Sequence, residues 1–288
     1  MHITPGGSPQ SVRTAFDLLR CPLCGACLAR SGSAFVCPVG HSFDIARQGY
    51  VGLLGGGVRA ASADTAVMVG AREAFLGGGH YAPLAGALAG LAVSLCRPGA
   101  AVLDAGVGTG YYLAAVLEAL PGAVGLGLDV SKYAVRRAAR VHPRAVAATW
   151  DVWEALPVGT DSVDLLVNVF APRNGREFRR VLRPGGVLLV VTPTSRHMAE
   201  LRDAFGMLAV DGAKEERLGR TLSAFFRHVE TRLREYAVTL TPGEVADLVS
   251  MGPTHHHLRE GEAAGRAAGL DGPVRMTASF RLSVYRPL

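Results

Sequence analysis

Lysine is almost absent from this chain of 288 residues. Of its thirty basic residues only Lys132 and Lys214 are lysines, the rest are arginines, and the formal net charge is +6. A planar guanidinium suits phosphate oxygens and guanine edges, so a polyanionic partner is permitted. Arginine preference also follows from a GC-rich genome, which the abundant alanine and glycine suggest, so charge alone does not require nucleic acid. Cysteine is scarce too, with five in all and four of them between Cys21 and Cys37. That excludes a disulfide-dense scaffold and points to metal ligands or buried thiols. No uninterrupted apolar run approaches the roughly 18 residues that span a bilayer. Met1 to Gln10 is polar and has no signal-peptide core, so a cytoplasmic location without a membrane partner is expected. There is no internal repeat and no low-complexity tail. With 49% apolar residues, the chain has ample material for one large domain or two smaller ones.

Short apolar runs punctuated by helix-like segments begin at Ala101, the texture of a parallel sheet with crossover helices. The runs are Ala101–Asp104, Val124–Val130, Ala145–Thr149, Val163–Phe170 and Val187–Thr192. Helices are expected over Tyr111–Leu120, after a Ser131 N-cap, and over Glu177–Val181. Upstream, Ala61–Cys96 reads as helices broken near Gly77–Gly79, and Gly52–Gly57 as a loop or hinge. Val229–Leu240 contains alternating apolar positions. Val274–Tyr285 alternates strictly, as a half-exposed antiparallel strand closing the sheet would. The expected divisions are an N-terminal module over 15–50, a linker and helical segment over 51–98, and a larger domain over 99–288.

Cys21, Cys24, Cys37 and His41 form the pattern C-x2-C-x12-C-x3-H. Two thiolates from one tight turn and a thiolate and imidazole from a second complete a tetrahedron with no open position, so the expected zinc is structural. So small a segment has little core of its own, and metal binding would supply much of its folding energy. Cys27 is an alternative to Cys24 with worse spacing from Cys21.

Asp104-Ala105-Gly106-Val107-Gly108-Thr109-Gly110 follows the first run and opens a helix. Glycines there let backbone approach a ligand and adopt positive φ. Asp129 ends the second run, where a carboxylate can accept both ribose hydroxyls of a nucleoside. The dinucleotide pattern G-x-G-x-x-G would need glycine at 111, which is Tyr111. Asp104 would also repel a pyrophosphate, whereas a sulfonium compound with an amino group would tolerate it. S-adenosylmethionine is therefore favoured over NAD. Asp151, after the third run, is a candidate partner for the adenine amino group or else a helix N-cap.

Taken together, these motifs resemble those of the bacterial 23S ribosomal RNA guanine-N1 methyltransferases. Carrying the likeness are Cys21-Pro22-Leu23-Cys24, Cys37 to His41, Phe43 to Val51, Gly79-His80-Tyr81, Asp104 to Gly110, Gly127 to Lys132 and Thr192-Pro193. Asp151-Val152-Trp153 and Asn168 to Asn174 are similar to the macrolide-resistance branch typified by the tylosin-resistance enzyme. The resemblance implies a Rossmann-like α/β class I S-adenosylmethionine-dependent methyltransferase with a small N-terminal zinc module. Its substrate would be a hairpin-loop guanosine of 23S rRNA, nucleotide 748 before a neighbouring guanosine of the same hairpin. It assigns Tyr81, Gly108, Thr109 and His197 to the cofactor, and Cys21, Cys24, Cys37 and His41 to zinc. One departure is His256, which stands where the family usually has tryptophan. The likeness leaves room for a homodimer.

Methyl transfer to guanine N1 needs positioning, exclusion of water and an acceptor for the N1 proton. Asn168 and Pro172 are the candidates at the reacting end, although Asn168 cannot act as a base. The target must be unpaired or extruded. Arg136, Arg137, Arg140, Arg144, Arg173, Arg176, Arg179, Arg180 and Arg183 are candidates for an RNA-facing surface, about half of them being expected on solvated faces instead. The competing readings are a non-catalytic zinc-ribbon protein that binds nucleotide or RNA, and a small-molecule methyltransferase of a biosynthetic cluster.

Overall fold

The computed structural model describes residues 14–54, 63–205, 221–259 and 261–288. The N-terminal module opens with a 3-10 turn, Ala15–Leu18, followed by an antiparallel meander of β1 (Ala29–Ser31), β2 (Ala34–Val36) and β3 (Ser42–Asp44). Gly32, at φ 61°, makes the tight turn between β1 and β2 that a residue with a Cβ would resist. Phe35 is buried, with its ring 4.7 Å from that of Phe16.

The main sheet has eight strands in the order β10-β11-β9-β8-β5-β6-β7-β4. Its parallel centre is β5 (Ala101–Ala105), β6 (Val124–Asp129), β7 (Ala145–Thr149), β8 (Val163–Val169) and β9 (Leu182–Pro193). These strands are buried nearly throughout, which is why they read as continuous apolar runs rather than alternating ones. A two-residue strand, β4 (Val51–Gly52), pairs parallel with β7 at one edge. Part of the stretch expected as linker thus belongs to the sheet. Gly55, Gly56 and Gly57 of the expected loop lie outside the described residues.

At the other edge stand β10 (Phe226–Leu240) and β11 (Val274–Pro287). The expectation that the last strand closes the sheet is corrected: β11 inserts antiparallel between β9 and β10, and β10 forms the edge. The alternation of β11 was sound. Met276, Ala278, Phe280, Leu282 and Val284 are all buried on one face, while Arg275 and Arg281 are exposed on the other.

Helices cover both faces. One side carries α1 (Ala66–Gly77), α2 (Ala82–Leu95), α3 (Tyr111–Ala119), α4 (Lys132–Ala138), α6 (Ala199–Phe205), α7 (Pro242–Ser250) and α8 (Glu262–Ala268), and the other α5 (Gly175–Val181). Local caps set their starts. Thr65, Ser131 and Asn174 accept from Met68, Ala134 and Glu177 backbone N–H groups, and Thr241 with Glu244 forms a capping box. The His256 backbone lies in a 3-10 turn, Pro253–His257, and its side chain is outside what is described.

Leu18, Leu19 and Phe35 share one continuous core with Val51, Leu103, Leu126, Val158 and Phe178. Leu19 also bridges Val158 in antiparallel fashion. The module therefore does not stand alone with the metal as its main organiser, since its apolar face is part of the core under the main sheet. Among the described residues no helix is long and apolar enough to cross a membrane.

Candidate active site and metal centre

In the module, the ligand atoms of Cys21, Cys24, Cys37 and His41 all lie within 4.8 Å of one another. Cys24 Sγ is 3.7 Å from Cys37 Sγ, and His41 Nδ1 lies 3.5 and 3.4 Å from the sulfurs of Cys21 and Cys37. Around a zinc ion with arms of about 2.3 Å to sulfur, tetrahedral edges come to about 3.7 Å, which these three separations match, so the donor set fits the ion. Backbone bonds from Gly25 N to Cys21 O and from Gly40 N to Cys37 O form the two turns that aim the ligands. Cys27 is exposed and outside the cluster, which decides between it and Cys24.

The second site is the glycine turn between β5 and α3. Gly106, Gly108 and Gly110 have φ of 89°, 55° and 86°, all in the left-handed region. Their reasons differ. A Cβ on Gly106 would stand 2.3 Å from Ala171 Cβ, and one on Gly110 2.9 Å from Ala138 Cα, so these two let the turn pack against the protein. Among the described residues a Cβ on Gly108 would meet only Arg72, at 3.5 Å, which leaves a cradle facing outward. Thr109 is buried beside it. Asp129 organises the turn, its Oδ2 accepting from Gly108 N–H and its Oδ1 from Ser131 N–H, both at 2.9 Å. Burial pushes the Asp129 carboxyl up, against the pull of these two donors. Asp104 is 1% exposed and its Oδ1 finds no hydrogen-bond partner among the described residues. Burial, and then the nearby charge of Asp129, raise its carboxyl to about 8.

Neighbouring strand ends crowd around this turn. Asn168 is fully buried, and its Nδ2 donates to Ala105 O at 2.9 Å and Pro172 O at 2.8 Å. With both amide hydrogens committed to these carbonyls, only its buried Oδ1, which has no hydrogen-bond partner among the described residues, remains open. Pro172 is exposed. Asp151 Oδ1 accepts from Trp153 N–H at 3.0 Å, capping a turn rather than the helix that was one expectation. Asn174 Nδ2 donates to the carbonyls of Val152, Trp153 and Glu154, fixing that turn.

Tyr81 and His197, distant in sequence, meet with Oη and Nε2 3.2 Å apart. His197 Nδ1 accepts from Ser279 N–H at 3.3 Å, and burial lowers the imidazole to about 4, so the ring is neutral and its proton sits on Nε2. Nε2 then donates to Tyr81 Oη. The buried Tyr81 phenol, raised well above its ordinary value by burial, keeps its own hydrogen for another acceptor.

Comparison with known proteins places these two sites in one family. Residues 19–56 match the family of the RlmA N-terminal zinc ribbon, and residues 102–186 match a methyltransferase domain. A protein of Micromonospora griseorubida described as a 23S rRNA (guanine-N1)-methyltransferase is 51% identical, covering 94% of this chain and 97% of its own. A Streptomyces fradiae protein, described as 23S rRNA (guanine(748)-N1)-methyltransferase, is 49% identical with the same coverage. The chain belongs to the 23S rRNA (guanine-N1)-methyltransferase family.

This methyltransferase has a turn whose chemistry fits S-adenosylmethionine. The Gly108 cradle admits a ligand close to backbone, Asp129 keeps lone pairs for ribose hydroxyls, and the orphaned Asp104 oxygen suits a cationic amino-acid tail. Sequence reasoning missed residues that complete the surround. Arg72 on α1 pairs with Asp64 and donates to Met251 O at 2.7 Å, which holds it beside Gly108. Asp64 O in turn accepts from Ser131 Oγ at 2.7 Å. Phe170 has φ of 53° and is 44% exposed at the end of β8, a strained backbone of the kind found at working sites. No local pattern announces Arg72 or Asp64, because apart from their own pairing their partners, Met251 and Ser131, lie far away in the chain.

The expected arginine surface is only partly real. Arg144 donates to the carbonyls of Leu117, Leu120 and Ala123 at the end of α3. Arg180 binds Glu177 and the carbonyls of Leu156 and Val158. Arg183 pairs with Asp164 at 2.6 Å, Arg137 pairs with Glu73 at 2.9 Å, and Arg173 is buried. Arg140 and Arg176 are exposed.

Proposed function

We propose that this methyltransferase moves the methyl group of S-adenosylmethionine to N1 of guanosine 748 of 23S rRNA and thereby protects ribosomes against macrolides. The observation that carries the reading is the 49% identity, over nearly the whole of both chains, to the Streptomyces fradiae enzyme described by that nucleotide. Bound at the glycine turn, the cofactor supplies an electrophilic methyl on sulfur.

In this reading Asp129 accepts the ribose hydroxyls, the backbone of Gly106, Gly108, Thr109 and Gly110 shapes the approach, and Asp104 balances the ammonium group. Asp151 accepts from the adenine amino group. Tyr81, oriented by neutral His197, donates to an acceptor of the same ligand. Asn168 presents its one open atom, Oδ1, as an acceptor for the N–H edge of the target guanine, while Pro172 walls the entry. The reaction would break the sulfur–methyl bond with its electron pair left on the thioether product, form the N1–methyl bond and pass the N1 proton to water. Asn168 orients that edge without taking the proton. The zinc module over residues 15–50 grips the RNA, with Arg30 on β1 and Leu23 and Val39 beside the ligands all exposed.

A methyl on N1 removes a donor, adds bulk and blocks Watson–Crick pairing at that base. A macrolide sugar packed against the hairpin would then lose a contact or meet a clash, and each 1.4 kcal/mol costs about ten-fold in affinity. The test is primer extension on ribosomal RNA from a susceptible host with and without the gene, alongside inhibitory concentrations for macrolides with long and short sugars. A stop at guanosine 748 and raised tolerance to the long-sugar drugs are expected. A stop without altered tolerance would remove the resistance role and keep the enzyme, and absence of a stop would remove both.

A further inference from the structure

A cavity of about 350 Å³ opens on the sheet beside the loop that follows β9, and nothing in the methyl-transfer site uses it. Its floor is a directed chain of hydrogen bonds. Arg196 N–H donates to Thr194 Oγ1, Thr194 Oγ1 donates to Ser279 Oγ at 2.7 Å, and Ser279 Oγ donates to Glu235 Oε2 at 2.8 Å. Thr194 and Ser279 are buried, so the chain is shielded from water and holds the carboxylate as a fixed acceptor. The other oxygen, Oε1, is 3.2 Å from Nη1 of Arg196, a side chain that is itself 70% exposed. Such an exposed ion pair is weak and exchangeable. Arg281 and Leu233 also line the cavity, with Ser195 and Thr231. Arg281 and Leu233 are register partners, as are Glu235 and Ser279, so these four occupy one face of the β10–β11 pair.

From this arrangement we infer that the cavity is a second nucleotide site, which takes a guanosine of the RNA other than the methylated one. The inference rests on the reading of the substrate as RNA. Only guanine among the common bases presents two adjacent N–H donors, N1–H and N2–H, to a single carboxylate. Adenine and cytosine place an acceptor beside their one amino group, and uracil flanks its N3–H with two carbonyls that Glu235 would repel. Leu233 offers an apolar surface for the base, and Arg281 with Arg196 offers guanidinium groups for the phosphate. The site is separate from methyl transfer because the next residue, Phe280, points to the opposite face, its ring 4.6 Å from His197 and 5.1 Å from Tyr81. A volume of this size lies within the range of small-molecule pockets.

The experiment measures equilibrium binding of the full-length protein to synthetic target hairpins in which each guanosine except the methylated one is replaced singly by inosine. Inosine keeps N1–H and lacks the N2 amino group. One replacement should weaken binding about ten-fold, the effect of one hydrogen bond to a charged group. Glu235→Gln should weaken binding of the unmodified hairpin similarly and abolish the difference between guanosine and inosine at that position, with S-adenosylmethionine affinity unchanged. The inference is overturned if no replacement alters binding by the wild-type protein, or if Glu235→Gln still discriminates. The inosine series decides the matter even if the variant does not fold. Methylation of the same hairpins is scored separately, so a hairpin that binds with inosine sensitivity but is never methylated would sink the activity reading and leave the cavity assignment standing.

Discussion

Asp104 makes both stability and cofactor affinity depend on pH, in opposite directions. In the folded chain without ligand its carboxyl sits at about 8, raised by burial and by the charge of Asp129. Unfolded, it returns to about 4. Between those values the folded chain holds a proton that the unfolded chain has lost, so this group's contribution to stability falls as pH rises from about 4 to about 8. The steepest slope is about 1.4 kcal/mol per pH unit, and the whole span is on the order of 5 kcal/mol. Asp104→Asn removes the titration. The difference in urea-unfolding free energy between variant and wild type should therefore grow in the variant's favour as pH increases from 5 to 8. Cofactor binding runs the other way. A cationic ligand beside Asp104 favours the ionised carboxylate, so binding below pH 8 releases a proton and affinity rises up to ten-fold per pH unit until it levels near 8. Calorimetry in buffers of different ionisation enthalpy reads the proton directly, and the variant should bind more weakly with a flat profile. If wild-type affinity is constant from pH 6 to 8.5 and no proton is released, Asp104 does not face the charged end of the cofactor.

Other perturbations separate the roles of neighbouring groups. Gly106→Ala places a Cβ 2.3 Å from that of Ala171 on a left-handed backbone, so it should lower the melting temperature by several degrees before any ligand is added. Gly108→Ala pays only the backbone strain of about 1–2 kcal/mol, yet should cost more in cofactor affinity than in stability, which thermal melts and calorimetry compare directly. Asp129→Ala leaves Gly108 and Ser131 N–H groups without their acceptor and removes the ribose partner, so cofactor affinity should drop ten-fold or more. Unchanged affinity would put the ribose elsewhere. Elemental analysis should find one zinc per chain, lost in Cys37→Ser. Because Phe35 belongs to the core under the main sheet, that variant should melt earlier in a single transition. Two separate transitions would mean the module folds independently.

What the sequence made legible was what short-range patterning can encode. The apolar runs of β5, β6, β7 and β8, the Ser131 cap and the four zinc ligands all rest on neighbours within a few turns of chain, and each stands where its spacing placed it. What stayed hidden depends on partners far apart. Val51 and Gly52 are too few to carry a strand signal and become one only because β7 offers a free edge. The arginine excess looked like one feature and is several. The guanidinium of Arg144 caps the end of α3 from 21 to 27 residues away, and that of Arg183 reaches Asp164, choices that follow from which carbonyls and carboxylates the fold leaves unsatisfied. The strict alternation of β11 disclosed its two faces but not its neighbours, since an alternating strand inside a sheet and one at its edge carry the same pattern. That interior position has a functional consequence. Placed between β9 and β10, β11 turns Phe280 toward Tyr81 and His197 while Ser279, the residue before it, touches Glu235 with its side chain and His197 with its backbone N–H. Had β11 been the edge beyond β10, Ser279 and Arg281 would have kept Glu235 and Leu233 opposite them but lost β9 as a neighbour, and with it Thr194 and His197. The cavity and the orientation of His197 thus both follow from the order of the last three strands.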